Sequence, residues 1–326
     1  MSQPGKNNLI TDIAGIRIGN ALDIAAKTGT SVILCETPSV GAVAVAGGGP
    51  GTRETDLLLA DKLVDHVDAV VLSGGSAYGL AAGDGVAAEL GARGRGFGLV
   101  DRPSVPKTPI VPAAILYDLA NGGDKDWGNT PPYQALGRKA FEAAAEGPFA
   151  LGQSGAGFGA QAGKFRGGLG SASIVTNDGM SVGALTAVNC FGSVFMPGTD
   201  AYWAWPYEIG GEFGGARPPS DYNAGAEDWG PAKQNPQLGE NTTIACIATD
   251  VALTSGQAHR VAQMALAGFA RAIRPVFAPF DGDVVFVIST AQIPLPGPEA
   301  LSLARLGELA ANTLARAVAR GVHEAQ

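Results

Sequence analysis

The sequence predicts an α+β protein in which mixed β-sheets are covered by helices, and three observations point there. Strand-like apolar runs and helical patterns alternate irregularly, without the regular βαβ repeat of a doubly wound sheet. Charged residues make up only 16% of the 326, and glycines number 48, a composition suited to closely approaching backbone and many tight turns. Short apolar runs are bounded by turn residues, most plainly where Asn177-Asp178-Gly179 separates Ser171-Ala172-Ser173-Ile174-Val175 from the run Val182 to Asn189, a hairpin signal. The length allows one large domain or two ordinary ones, and we read 1–326 as a single domain.

In chain order, Ile10-Thr11-Asp12-Ile13 and Ile16-Arg17-Ile18 flank an Ala-Gly turn and read as a hairpin. Ser31 to Cys35 and Ala42 to Val45 are two short strands, the second ending in Gly47-Gly48-Gly49-Pro50-Gly51. That glycine run is either a tight turn or an anion cradle at a helix beginning near Glu54, although no Walker lysine and serine follow it. Asp68 to Leu72 is a strand leading through Ser73-Gly74-Gly75-Ser76, a backbone loop lining a cleft, into a helix reaching about Leu90. Val111 to Asp118 is strand-like and Ala135 to Phe141 helical.

The stretch Gly155 to Lys164 fails as a phosphate loop, because Phe158 and Phe165 stand where glycine and a hydroxyl residue are needed. From about Met196 to Glu240 periodicity is lost, and this segment reads as slack able to swing away. Thr254-Ser255-Gly256-Gln257 has capping-box spacing and opens a helix to about Ile273. Val284 to Ile288 is a buried strand, and Pro298 starts a last helix to about Arg320.

Composition excludes several functions. A formal charge of -8 disfavours nucleic acid or an anionic membrane as partner. Cys35, Cys190 and Cys246 are widely spaced, so neither a disulfide framework nor a metal site is expected. No other cofactor is expected. The start carries no apolar signal core and no stretch approaches a membrane span, which reads as a cytoplasmic protein.

Gly239-Glu240-Asn241-Thr242-Thr243-Ile244 is the stretch that carries chemistry. A polar loop runs straight into an apolar strand with a hydroxyl residue on the seam. Thr242 here is either the mere start of a strand, which threonine favours, or a residue whose hydroxyl cuts the Asn241-Thr242 bond. Cutting gives Thr242 a free α-amine that serves as base for its own hydroxyl. Such an amine titrates near about 7.7–8.0, so no histidine is required. The histidines His66, His259 and His323 offer no rival triad, with His66 read as ending a helix, His259 within one and His323 near the C-terminus.

Four groups suit that nucleophile. Asp281 and Asp283, two apart at a strand start, point to one side and can hold a protonated amine, unless Asp-Gly is only a turn. Lys164, either solvated or functional, lowers the proton affinity of a nearby amine. Asn189 can donate to a developing oxyanion, and Tyr117 can add a hydrogen bond.

The segments Gly51-Thr52-Arg53-Glu54-Thr55-Asp56, Gly74 to Gly79, Val111 to Asp118, Ala162-Gly163-Lys164 and Asn241-Thr242-Thr243-Ile244 resemble the D-aminopeptidase/esterase family of self-processing hydrolases over nearly the whole chain. The Asn-Thr-Thr seam with Asp-Gly-Asp is most similar to the nylon-oligomer branch, which cuts aminohexanoate oligomers. The aminopeptidase branch has serine at the cleavage point. The resemblance implies an α-β-β-α sandwich of mixed sheets, also similar to ornithine acetyltransferases. It further implies cleavage into 1–241 and 242–326, and a homo-oligomer of cleaved heterodimers. Thr242 is then the nucleophile, Asn189 the oxyanion asparagine, Lys164 and Tyr117 active-site residues, and Asp281 with Asp283 the carboxylate pair. The expected substrate is a small linear amide or short peptide; the alternatives are an aminopeptidase/esterase, an acyltransferase on the same nucleophile, and a glycine-rich binding protein in which Thr242 stays internal.

Overall fold

The computed structural model describes residues 2–100, 102–233 and 241–326; Gly239, Glu240 and the rest of 234–240 lie outside the described residues. The strands are β1 (Ile16–Asp23), β2 (Thr28–Val45), β3 (Thr52–Arg53), β4 (His66–Ser73), β5 (Ala113–Ile115), β6 (Gln161–Ala162), β7 (Phe165–Arg166), β8 (Gly168–Val175), β9 (Ser181–Asn189), β10 (Thr242–Val251) and β11 (Val284–Ile293). The α-helices are α1 (Ala81–Ala92), α2 (Tyr133–Glu142), α3 (Ser255–Ala272) and α4 (Glu299–His323).

The architecture turns on β2. Its first half pairs antiparallel with β1, from Ile16 opposite Cys35 to Asp23 opposite Thr28, and on its other edge with β4. The register with β4 slips between Leu34 and Ser39, at the exposed Glu36-Thr37-Pro38. Beyond that irregularity β2 pairs with β11, from Val40 opposite Ser289 to Val45 opposite Val284. One strand thus runs from one sheet layer into the other, where the sequence suggested two. The hydrogen-bonded order is β3-β5-β4-β2-β11-β10-β9-β8, with β1 on β2. Pairing is mixed, β10 being parallel to β11 and antiparallel to β9.

Three buried clusters separate four layers. Between the sheet layers, Ile16, Ile18, Ile33, Val70 and Leu72 meet Leu185, Ile244, Cys246, Phe286 and Ile288. On one outer face α1 and α2 pack Val86, Leu90, Leu136 and Phe141 onto Val32, Leu34, Val71 and Val111. On the other, α3 and α4 pack Val261, Phe269, Leu306, Leu314 and Val318 onto Ala245, Ile247, Val285 and Val287. Ile244 and Cys246 face inward while Ala245 and Ile247 face the helices, as the two-residue period of a strand requires. The result is the α-β-β-α sandwich, with its two sheets joined through the bent β2.

The hairpin over 177–179 and the capping box of α3 form as expected. The Thr254 hydroxyl accepts the Gln257 N–H and the Gln257 side chain returns to the Thr254 N–H.

Three local readings are corrected. Ile10–Asp12 is a 3-10 turn, because the Asp12 carboxylate gathers the N–H groups of Asn7 and Leu9; the partner of Ile16–Asp23 is β2. No helix begins at Glu54: its φ of 57° is left-handed, which stops a helix, and its carboxylate accepts the Val111 N–H at 2.9 Å. His66 opens β4 rather than closing a helix.

The irregular segment after Met196 is anchored along much of its described length. Tyr202, Ala204 and Phe213 are buried in the cluster beneath α3 and α4. Glu212 bonds Arg316 of α4 at 2.6 and 2.9 Å. The expected slack is therefore absent from that part of the chain.

Candidate active site

β10 starts where its neighbours on both edges end or begin. Thr242 lies opposite Asn189, the last residue of β9. Asn241 forms a parallel bridge with Asp281, just ahead of β11. The seam, the asparagine and the aspartate pair are thus assembled at one end of three adjacent strands.

The Gly47-Gly48-Gly49 run holds this end together rather than cradling an anion. The Gly49 N–H donates to Asp281 O and the Ala46 N–H to Asp283 O, both at 2.8 Å. A Cβ on Gly48 would collide with the backbone of Pro279, and one on Gly47 with that of Asp281. Here glycine is needed for close approach of two backbones.

Asn241 and Thr242 are buried, at 0% and 2% exposure. The Thr242 hydroxyl donates to the Asn241 carbonyl oxygen at 2.6 Å, and the Gly282 N–H donates to the same oxygen at 2.9 Å. A Cβ on Gly282 would come within 2.8 Å of Thr242 Oγ1 and 2.6 Å of Gly49 O, so only glycine brings an N–H this close.

Both carboxyls are buried beside the seam. Asp283 Oδ1 accepts the Thr243 N–H at 2.6 Å. Burial, and then the neighbouring Asp281, hold the Asp283 carboxyl well above the usual range. Asp281 Oδ2 accepts the Ala278 N–H at 2.8 Å. Burial pushes the Asp281 carboxyl from an ordinary 3.8 up to about 6, against the opposing pull of the Ala278 N–H and the Lys233 charge.

Asp281 Oδ1, both ends of the Asn241 amide and the Thr243 hydroxyl are buried without a hydrogen-bond partner among the described residues. Unpaired buried polar groups are costly. Their gathering at one seam marks a place where polarity is retained at the expense of stability.

Asn189 is held by backbone on two sides: its Nδ2 donates to Tyr117 O at 3.0 Å and its Oδ1 accepts the Gln161 N–H at 2.9 Å. It is thus the Tyr117 carbonyl, not the phenol, that meets Asn189. Tyr117, Asn121, Gln161, Asn189 and Lys233 line a small polar cavity of about 100 Å³.

Lys164 is placed differently. It sits at the tip of the β6–β7 hairpin, whose Gly163 N–H donates to Cys190 O at 3.1 Å and whose Lys164 N–H donates to Pro231 O at 2.8 Å. Its side chain is exposed. The lysine beside Asn189 is Lys233, whose Nζ lies 3.4 Å from Asn189 O. Sequence reasoning passed over Lys233 because it falls in the irregular stretch; its nearness in sequence to Asn241 was the available signal. Gly282 was likewise read only as part of a turn.

The histidines lie elsewhere, His259 against Val43 O, His323 near Tyr202 and His66 beside Asp65. Among the described residues no group of three or more His, Cys, Asp or Glu is placed to hold a metal. No described helix is long and apolar enough to cross a membrane.

The four-layer sandwich is also the fold of known proteins. A solved structure described as the L-aminopeptidase D-Ala-esterase/amidase of Ochrobactrum anthropi, a variant of the Ntn hydrolase fold, superposes with a TM-score of 0.71. It shares 20% identity, over 98% of this chain and 87% of that one. The fold is therefore that of the Ntn hydrolases.

The profile of peptidase family S58 matches residues 8–326. An "uncharacterized aminopeptidase" of Mycobacterium tuberculosis is 41% identical, over 98% of this chain and 94% of its own. The 6-aminohexanoate-oligomer endohydrolase of a Kocuria species is 31% identical, over 93% of this chain and 80% of its own. The chain belongs to peptidase family S58, and is a hydrolase acting on amide bonds.

Proposed function

We propose that the chain cuts its own Asn241-Thr242 bond and then uses the freed Thr242 to hydrolyse linear amides. The observation that carries this is the convergence of the Thr242 hydroxyl and the Gly282 N–H on one carbonyl oxygen, that of Asn241. The N–H polarises the carbonyl and receives the oxyanion as the hydroxyl oxygen adds to the carbon. The C–N bond then breaks, the Thr242 nitrogen takes up a proton, and the Asn241 acyl group passes to Oγ1 as an ester. Water releases it, leaving Asn241 as a new carboxylate and Thr242 as a new N-terminus, in chains 1–241 and 242–326.

The freed amine of Thr242 is then the base for its hydroxyl. Asp283, already bonded to the adjacent Thr243 N–H, and Asp281 hold that amine when it is charged. In turn, a cation beside them draws both carboxyls down toward ionisation. Thr242 Oγ1 attacks the substrate carbonyl, the amine leaves and water resolves the acyl-enzyme. Asn189, fixed opposite Thr242, serves the oxyanion. Tyr117 shapes the cavity beside it, and Lys164, exposed on the β6–β7 hairpin, is the active-site lysine of the same reading.

The substrate class is a linear amide of the aminohexanoate-oligomer type, supported by the Kocuria relative and by threonine at the seam. The name of the mycobacterial relative supports an aminopeptidase reading beside it. Assembly of the cleaved pairs into a homo-oligomer belongs to the same proposal.

The test is intact mass and turnover. Active protein is expected as two chains, and Thr242→Ala as one uncut chain without hydrolysis of any linear amide. Normal processing or turnover by that variant overturns the assignment. A panel of aminohexanoate oligomers, α-peptides and β-peptides then separates the two substrate readings.

A further inference from the structure

We infer that a cleft at the C-terminal end of α3, bounded by Trp203, Trp229 and Arg274, binds a compact aromatic carboxylate. The cleft shares no lining residue with the cavity beside Asn189, and the inference holds whether or not the chain cleaves amides.

The three wall residues are tied to one short segment, residues 191–194. Trp229 packs edge-on against Phe191, with ring centroids 5.8 Å apart. Arg274 exchanges backbone hydrogen bonds with Ser193 at 2.8 and 2.9 Å. That approach needs glycine at 192, where a Cβ would strike the Pro275 carbonyl oxygen. The Trp203 N–H donates to Val194 O at 2.9 Å. The cleft is thus assembled before a ligand arrives, which limits the ordering cost of binding.

Its volume is about 470 Å³, within the roughly 300–1,000 Å³ of small-molecule sites. Ile273, Pro275 and Val276 add apolar lining beside the two indoles, a surface that suits a ring.

The charge comes from Arg274. Arg271, also in the lining, is engaged by Glu308 at 2.8 Å and Asn312 at 2.5 Å. The Arg274 guanidinium instead lies over the Trp203 ring, 5.0 Å from its centroid, and forms no ion pair with a described carboxylate. Contact through the flat face leaves the in-plane N–H groups for an acceptor, and a carboxylate takes two of them at once. The Trp203 indole N–H and the Tyr222 hydroxyl are buried without a hydrogen-bond partner among the described residues, and the Arg274 charge acts on that hydroxyl. Unpaired donors beside a cation favour an anionic acceptor. Asp228 acts on the same hydroxyl with the opposite sign, so a monoanion suits the cleft better than a phosphate dianion.

The experiment is calorimetric titration with phenylacetate, phenylacetamide and cyclohexylacetate, which are similar in size and differ in charge or in aromaticity. Wild type is expected to bind phenylacetate about tenfold more tightly than phenylacetamide, the worth of a charge-assisted bond. It is expected to bind phenylacetate about threefold or more tightly than cyclohexylacetate, from ring contacts. Arg274→Met, which keeps an apolar chain over Trp203, should bind phenylacetate no better than phenylacetamide. Trp229→Ala should lose most of the preference for phenylacetate over cyclohexylacetate.

The inference is overturned by a wild type that does not bind phenylacetate or binds all three probes alike. Unchanged phenylacetate affinity in Arg274→Met, or an undiminished ring preference in Trp229→Ala, overturns it as well. Because titration reads no turnover, these outcomes are independent of whether Thr242 proves to be a nucleophile.

Discussion

In the uncut chain the Asp281 carboxyl is buried beside Thr242 without the amine that the proposed cut would supply. While Thr242 contributes only an amide nitrogen, the buried carboxyl has no new cation beside it and keeps its proton up to about pH 6 rather than 3.8. Between those values the folded uncut chain binds more protons than the unfolded chain, so its stability falls as pH rises. Thr242→Ala, which the proposed reaction would leave uncut, should lose melting temperature from about pH 4 to about pH 6. The double variant Thr242→Ala/Asp281→Asn should lose less over the same window, and identical slopes would contradict the assignment. Because Asp118 and Asp250 are also raised, each by burial first, the difference between the variants is the meaningful quantity.

At this scale the seam was legible in the sequence and its surroundings only partly so. Asn241, Thr242, Asp281 and Asp283 stand out because a polar turn next to an apolar strand is a local pattern. Their meeting is visible only in the fold, where Asn241 bridges Asp281. Lys233 and Lys164 are indistinguishable by residue type; backbone bonds to Phe191 and Pro231, respectively, decide which ammonium lies beside Asn189.

At the scale of elements, the glycine run 47–49 acts as a clamp on the turn before β11. Gly48→Ala would drive a methyl group into the Pro279 backbone, which cannot yield without moving Asp281 and Gly282. It is expected to cost about 1–3 kcal/mol, in the manner of overpacking, and to slow the proposed self-cleavage further by separating the Gly282 N–H from the Asn241 carbonyl. Urea unfolding and a time course on a denaturing gel measure the two effects. Cleavage at the wild-type rate would show that the run is only a turn.

The elements that sequence reasoning placed well are those specified by contiguous residues. The Thr254 capping box and the Asn177-Asp178-Gly179 turn need only their own neighbours. Those it misplaced depend on distant partners: the Asp12 carboxylate also accepts the Ser173 hydroxyl at 2.7 Å, and Glu54 is fixed by Val111. β2 looked like two strands because Glu36-Thr37-Pro38 interrupts its apolar pattern, yet pairing with β1, β4 and β11 carries one strand through the interruption.

For the molecule as a whole, the proposed cut raises the question of what keeps the halves together. β10 remains hydrogen-bonded to β9 across the proposed junction between chains, and β11 to β2. Arg316 adds a polar clamp: at 2% exposure it bonds Glu212, Asn8 and the Ser173 carbonyl, all in 1–241, from a helix in 242–326. Arg316→Met would leave the Glu212 carboxylate buried with less compensation. Breaking a buried pair of this kind costs about 3–5 kcal/mol. The variant should unfold at lower urea, and its two chains, once processed, should separate at a denaturant concentration that leaves wild type paired. An unchanged midpoint would assign the cohesion to sheet pairing alone.

What the sequence determined by itself is the set of local instructions: apolar periods that make strands and helices, caps and turns that bound them, low charge and abundant glycine that favour layered packing, and a threonine at the entrance of an apolar strand. Those follow from interactions between residues close in the chain. The tertiary structure alone decided that β2 links both sheets, that the glycine run clamps the aspartate turn, and that Gly282 and Thr242 share one carbonyl oxygen. Each of these depends on strand register between segments far apart, and register is settled by burial and pairing across the whole sandwich.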